Sequence, residues 1–263
     1  METYQSILEK IRKKGKKFLA IFLVVIAVLG FMQVAKENIS VINPTEDHML
    51  PIYSVETEEK VISMTFDSAW GDEDLDDILA ILERQEVKAT FFVTGDWVSQ
   101  YPEAIRKLDA AGHEIGSHGD RHKHMTRLSK EENIQELQGC FDKIKAVTGK
   151  EINLFRAPYG DYNEELVRTA KEAGYYTIQW DVDSLDWKDY GVEHIIKTVT
   201  EHKNLRNGSI LLLHNGAKYT KDALEKVITG LKQQGYTFIK VSDLIYRDQY
   251  YIDHTGRQYG KID

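Results

Sequence analysis

From Lys60 onward, short apolar β-rich runs alternate with amphipathic stretches, and this alternation restricts the possible folds more than any other feature of the chain. The apolar runs are VISMTF (61–66), ATFFVT (89–94), HEIGSH (113–118), INLFRA (152–157), YYTIQWDV (175–182), SILLLH (209–214) and YTFIKV (236–241). Between them lie helical patterns such as DLDDILAILERQ, PEAIRKLDAAG, SKEENIQELQGCFDKIKAVTG, NEELVRTAKEAG and DALEKVITGLKQQG. Gly112, Gly149, Gly174 and Gly235 close several of these, where a left-handed residue ends a helix without strain from a Cβ. Strands without polar alternation are buried on both faces, and a single helix between successive strands demands a parallel crossover. The expectation is therefore an α/β fold, a distorted (β/α) barrel of about seven parallel strands, occupying residues 60–245 as one domain.

The flanks read differently. Residues 1–17 are basic, and 18–35 include FLAIFLVVIAVLGFM, the fifteen uncharged residues Phe18 to Met32. Gln33, Val34 and Ala35 extend that run to about the minimum for crossing a bilayer. The lysines before it should stay cytoplasmic. No A-x-A cleavage site follows, so an uncleaved signal anchor is expected, with a removed signal peptide as the alternative. Either way the bulk of the chain is exported to the outer face of the cell membrane or secreted. Residues 36–59 read as a linker and 246–263 as a polar, tyrosine-rich tail without an assigned role. The net charge of −8 argues against nucleic acid as a partner. Cys140 is the sole cysteine, so no intrachain disulfide can form.

In parallel α/β folds ligands gather at the carboxyl ends of strands. Strand one ends in Asp67, strand three in His118 with His122 just after it, and strand four in Arg156 within RAPYG. Strand five runs into DVDSLDW, which carries Asp181, Asp183, Asp186 and Trp187, and strand six ends in His214. Taken singly, each has a bland explanation. Asp67 can cap a helix, Arg156 can be an ordinary ion-pair partner, and His118 and His122 can be a polar surface turn. Pro158 and Gly160 can be turn formers, Trp187 a core filler and His214 a structural histidine. All of them falling at the same end of five strands points to one site. His48, His194, His202 and His254 lie outside these motifs and are expected at the surface, as are His113 and His124.

The order of the motifs resembles the polysaccharide deacetylase family, the NodB-homology group of carbohydrate esterases. TFDSAWG stands at its Thr-Phe-Asp-Asp-Gly motif and HGDRH at its His-(Ser/Thr)-x-x-His. RAPYG stands at its Arg-x-Pro-Tyr-Gly, DSLDW at its Asp-x-x-Asp-Trp, and LLH at its Leu-x-His. The resemblance covers residues 60 to about 245, and FD-x-x-WG is most similar to the peptidoglycan and sporulation-associated bacterial subgroup. It implies hydrolysis of N-acetyl groups on cell-wall amino sugars, with an N-acetylated polysaccharide as partner; separately, a monomer is expected. Asp67 is then the general base and Arg156 its orienting cation. His214 is the general acid, oriented by Asp186. The backbone N–H of Tyr159 is an oxyanion donor, while Trp187 and Leu212 wall the acetyl pocket. The resemblance makes His118 and His122 ligands of a divalent metal, zinc or cobalt.

One position departs from the family pattern. Ser68 stands where most members have a second Asp that ligates the metal. A neutral hydroxyl is a poorer partner for a divalent ion than a carboxylate. Three outcomes are open. The metal can bind through two histidines and water, Asp120 or Asp72 can substitute, or the domain has lost hydrolysis and kept glycan binding or a role in wall assembly.

Overall fold

The computed structural model describes residues 49–261, and the expected basic segment and anchor lie outside them. Among the described residues no helix is long and apolar enough to cross a membrane. The core is a curled sheet of seven parallel strands, a half-barrel flanked by helices. In chain order these strands are β2 (Val61–Ser68), β3 (Thr90–Val93), β4 (Glu114–Ser117), β5 (Leu154–Phe155), β6 (Tyr176–Thr177), β7 (Val182–Asp183) and β8 (Ile210–His214). Their order across the sheet is β6-β5-β4-β3-β2-β8-β7, and β9 (Thr237–Phe238) pairs with the start of β2.

β2 is central and buried along its whole length. Its alternate residues Ile62, Met64 and Phe66 join the core under the helices, meeting Leu75, Ile78 and Leu82 of α1 (Leu75–Arg84). Ser63, Thr65 and Asp67 occupy the opposite face by the period-two rule. There the Thr65 hydroxyl donates to the Leu211 carbonyl at 2.5 Å. A second core, built from Phe92, Leu154, Ile178 and Ile210, is closed by Ile52, Val55, Val241 and Leu244. The expected helices are present as α1, α3 (Pro102–Ala110), α4 (Lys130–Thr148), α5 (Glu164–Glu172) and α7 (Thr220–Gln233). Three more, α2 (Gly95–Gln100), α6 (Val192–Thr200) and the short α8 (Val241–Leu244), were not legible as separate patterns.

Three expectations are corrected. The run 175–182 is not one strand. It splits into β6 and β7 at opposite edges of the sheet, because Ile52 intervenes, receiving a hydrogen bond from Gln179 N–H at 2.7 Å. The expected linker 36–59 is not a tether throughout, since Ile52 and Val55 are buried and β1 (Ser54–Val55) belongs to a sheet. The described part of the tail, 246–261, is likewise structured. β10 (Tyr250–Ile252) and β11 (Arg257–Gly260) form a hairpin that pairs with β1 through Ser54↔Arg257. Ile52 and Val55 are buried against Phe92, Leu154, Ile178 and Ile210, all distant in sequence, so local composition misreads that segment.

Candidate active site

Asp67 and His214, the last residues of the paired segments of β2 and β8, are direct register partners across the two parallel strands. They open into a cavity of about 340 Å³. Its wall also contains His118, His122, Tyr159, Asp183, Trp187 and Leu212, with Trp70 and Trp180. Arg156 and Asp186 stand behind that wall, each with no exposed surface. Residues from five strand ends therefore meet at one mouth, as the sequence positions imply.

Asp67 has a buried cation as its partner. Arg156 Nη1 donates to Asp67 Oδ1 at 2.7 Å and to Thr65 Oγ1 at 2.8 Å, while Nη2 donates to the Gln179 carbonyl at 3.0 Å. The guanidinium lies 4.1 Å from the Phe92 ring centroid. Burial pushes the Asp67 carboxyl upward, but Arg156, with smaller contributions from His118 and His214, outweighs it and holds the group below the usual carboxylate range. Asp67 is thus kept ionised by a partner that cannot leave.

His214 is built as the opposite case. Its Nδ1 lies 2.8 Å from Asp186 Oδ1, and because a carboxylate only accepts, Nδ1 carries the proton. Asp186 Oδ2 accepts from His214 N–H at 2.8 Å and from the Thr220 hydroxyl at 2.6 Å, so the carboxylate cannot swing away. Burial disfavours the charged ring, yet the bond and charge of Asp186 raise the His214 pKa above the ordinary imidazole value. Nε2 is the atom left for chemistry. The Trp70 ring stacks on this imidazole at 5.3 Å between centroids.

The histidine pair is also pre-set. His118 is buried, and its Nδ1 lies 2.8 Å from the Arg156 carbonyl, which accepts and so fixes the proton on Nδ1. Nε2 then presents a lone pair 3.5 Å from Asp67 Oδ2. The His122 ring sits 5.0 Å from the His118 ring and 4.5 Å from the Tyr159 ring. Burial, then the neighbouring His118, lowers His122 to about 4, and burial lowers His118 as well. Both shifts favour the neutral ring, the form that donates a lone pair to a metal.

Among the described residues no group of three or more His, Cys, Asp or Glu is arranged to hold a metal. Neither substitute acid supplies the missing carboxylate. Asp120 turns away to Lys143 Nζ at 2.7 Å, packed so tightly on Gly95 and Gly139 that a Cβ on either would collide with it. Asp72 is not among the residues lining the cavity. The Ser68 hydroxyl is fully buried and has no hydrogen-bond partner. His118 and His122 supply two imidazole nitrogens, donors of the kind a divalent ion would accept.

His113 is a further correction. It is buried, its Nδ1 accepts from Ala89 N–H at 3.2 Å, and its edge meets Phe91, so it belongs to the core at the foot of β4. His194 and His254 are exposed as expected, His202 is half-buried, and His48 lies outside the described residues. His124 is exposed but stacks on Tyr159 at 4.0 Å. Trp70 and Trp180 were missed as cavity walls. Their only sequence signal is an aromatic residue one to three positions from a strand end.

A family model for polysaccharide deacetylase matches residues 54–178. The matched stretch includes Asp67, His118, His122, Arg156 and Tyr159, and it ends before Asp186 and His214. The chain is 34 % identical over 205 residues to the peptidoglycan-N-acetylmuramic acid deacetylase PdaA of Bacillus subtilis, covering 75 % of this chain and 76 % of that one. It is 37 % identical over 201 residues to a peptidoglycan-N-acetylglucosamine deacetylase of Bacillus cereus, covering 73 % and 92 %. Among solved structures, a CE4 family pseudoenzyme from Bacillus anthracis superposes with a TM-score of 0.72 at 30 % identity, over 82 % of this chain and 74 % of that one.

Proposed function

The chain belongs to the polysaccharide deacetylase family, and from that premise we propose that it hydrolyses N-acetyl groups from cell-wall amino sugars, in peptidoglycan or a chitin-type glycan. The observation that carries this reading is the Asp67–His214 register pair, an ionised carboxylate and a proton-holding imidazole, each braced from behind by its own buried partner.

Amide hydrolysis needs water activated on one side of the carbonyl carbon and a proton delivered to the nitrogen on the other. Asp67 takes a proton from the attacking water as its oxygen bonds to the acetyl carbon. Arg156 keeps that carboxylate ionised and pointed at the cavity. The N–H of Tyr159 faces the developing oxyanion in this reading, and the left-handed backbone there (φ 62°) sets the turn that carries it. His214 hands its Nε2 proton to the sugar nitrogen, the C–N bond breaks, and acetate and a free amine remain. Asp186 holds the imidazolium during that step. Trp187 and Leu212 bound the space for the acetyl methyl. The family is generally metal-dependent, and His118 and His122 are the residues that would hold a divalent ion, zinc or cobalt, which supplies charge stabilisation at the carbonyl oxygen and a lowered pKa for water. We further propose that the protein is exported and membrane-anchored, supported by the uncharged run Phe18–Met32 behind a basic segment.

The test is acetate release from peptidoglycan and from acetylated chitooligomers, with and without added Zn²⁺ or Co²⁺. Turnover that rises with metal is expected. A folded protein that releases no acetate under any of these conditions sinks the proposal. Ser68 and the likeness to a pseudoenzyme favour a second reading, a glycan-binding or wall-assembly protein on the same scaffold. Glycan binding unchanged by Asp67→Asn and His214→Ala, without acetate release, would select it.

A further inference from the structure

Helix α4 buries an amphipathic stripe of Asn133, Glu136, Leu137, Cys140 and Ile144, and Glu136 is the charged member of it. A carboxylate on a core-facing stripe, 2 % exposed, needs strong partners. It finds them in the turn between the two histidines. Glu136 Oε2 accepts from Arg121 N–H at 2.8 Å and from Asp120 N–H at 3.0 Å, and Oε1 lies 3.0 Å from Lys123 Nζ.

That turn is not one the backbone adopts by preference. Gly119 has φ 75° and His122 has φ 50°, a left-handed conformation that disfavours a residue with a Cβ. Its carbonyls are held from the other side, where the N–H groups of Gly95 and Asp96 donate to Gly119 O and Asp120 O at 3.0 and 2.8 Å. Two donors and two acceptors of consecutive peptides are thus fixed from two different helices. Glu136 is the only side chain in this set that satisfies two of the turn's amides at once.

We propose that Glu136 is the positioning residue of the histidine pair, its carboxylate gripping the 120–121 amides so that His122 is held in its left-handed conformation beside His118. Without that grip, two N–H groups inside the turn lose their acceptor, and the bonds from Gly95 and Asp96 to its carbonyls are left to hold the strained turn at His122 from one side alone. The proposal rests on the reading of His118 and His122 as paired nitrogen donors, but its geometry stands apart from turnover. Supporting partners of metal-ligating histidines set ring orientation, and their loss weakens metal binding by roughly 10–100-fold.

The test uses the full chain, free of metal, carrying Glu136→Ala, Glu136→Gln or Glu136→Asp. Amide hydrogen exchange at Asp120 and Arg121 is read together with nuclear Overhauser contacts from the His122 ring to His118 and Tyr159. Glu136→Gln retains an oxygen that can accept both amides, so slow exchange and native contacts are expected. Glu136→Ala should speed exchange at those two amides by about tenfold or more, the order expected for one lost hydrogen bond, and erase the His122–His118 contact while β2 and β8 stay protected. Should Glu136→Ala fail to fold, Glu136→Asp decides, since it keeps the charge but withdraws the carboxylate by one methylene. Native His122 contacts in whichever of these two variants is folded overturn the proposal. A zinc titration adds an independent arm, with weaker binding expected for Glu136→Ala and restoration in Glu136→Gln. A parent chain that takes up no zinc would count against the metal reading of the pair, leaving exchange and ring contacts to judge Glu136.

Discussion

At the scale of single residues, two pKa directions set the pH behaviour. Asp67 is depressed and His214 is raised, so the form with an ionised base and a protonated acid spans a wide window. The acid limb of turnover should fall below the ordinary carboxylate range, and the alkaline limb should lie above the ordinary imidazole value of about 6.5. Asp186→Asn removes the charge that favours the imidazolium, so the alkaline limb should move to lower pH. A limb that does not move would mean that Asp186 does not govern the acid. The same shifts are stability statements. The His214 contribution is complete below its unfolded pKa and is lost as pH rises through the raised folded value. The Asp67 contribution is complete above its unfolded pKa and is lost as pH falls through the depressed one. Ser68 offers a second residue-scale test. An Asp at this fully buried position would be an uncompensated charge, so Ser68→Asp should lower the Tm in chelator, by an amount of order several kcal/mol of stability, and zinc should restore it. No recovery with zinc would show that position 68 does not face the ion.

At the scale of elements, what the sequence revealed depended on whether the signal was local. β2 and β3 announce themselves through largely apolar runs, because both of their faces are covered. Their terminal residues could be assigned to one rim because parallel strands all point the same way. The segment 175–183 misled because its two halves pair with different edges, a decision made by Ile52 more than a hundred residues away in sequence. The C-terminal hairpin misled for the same reason. Its polar, tyrosine-rich sequence carries no apolar run, and it is fixed by Arg257, buried against Ser54 Oγ at 3.2 Å, Asn207 O at 3.1 Å and Glu56 Oε2 at 2.7 Å. Glu56 is half exposed, so its ion pair adds little, while the two bonds to Ser54 and Asn207 carry the effect. Arg257→Ala should therefore destabilise by about 1–3 kcal/mol, leaving buried acceptors unpaired. A thermal melt indistinguishable from the parent would show that the hairpin is dispensable to the half-barrel.

At the scale of the whole molecule, a curled parallel sheet gathers chemistry that is scattered along some 150 residues of sequence, and Asp67 and His214 are the pair that this gathering brings side by side. The motifs were legible because each is a strand end plus a reactive side chain. The supports behind them were not, since Glu136 reads as an ordinary helix residue until the turn it holds is seen. The central claim is that the two register partners work as one unit on opposite sides of the scissile amide. Acetate release measured for the parent, Asp67→Asn, His214→Gln and the double variant tests it directly. Groups that act together are grossly non-additive, so each single variant should lose nearly as much activity as the double, by at least about 10²-fold for a displaced acid or base. Losses that multiply independently, or single variants that keep the parent rate, would contradict it.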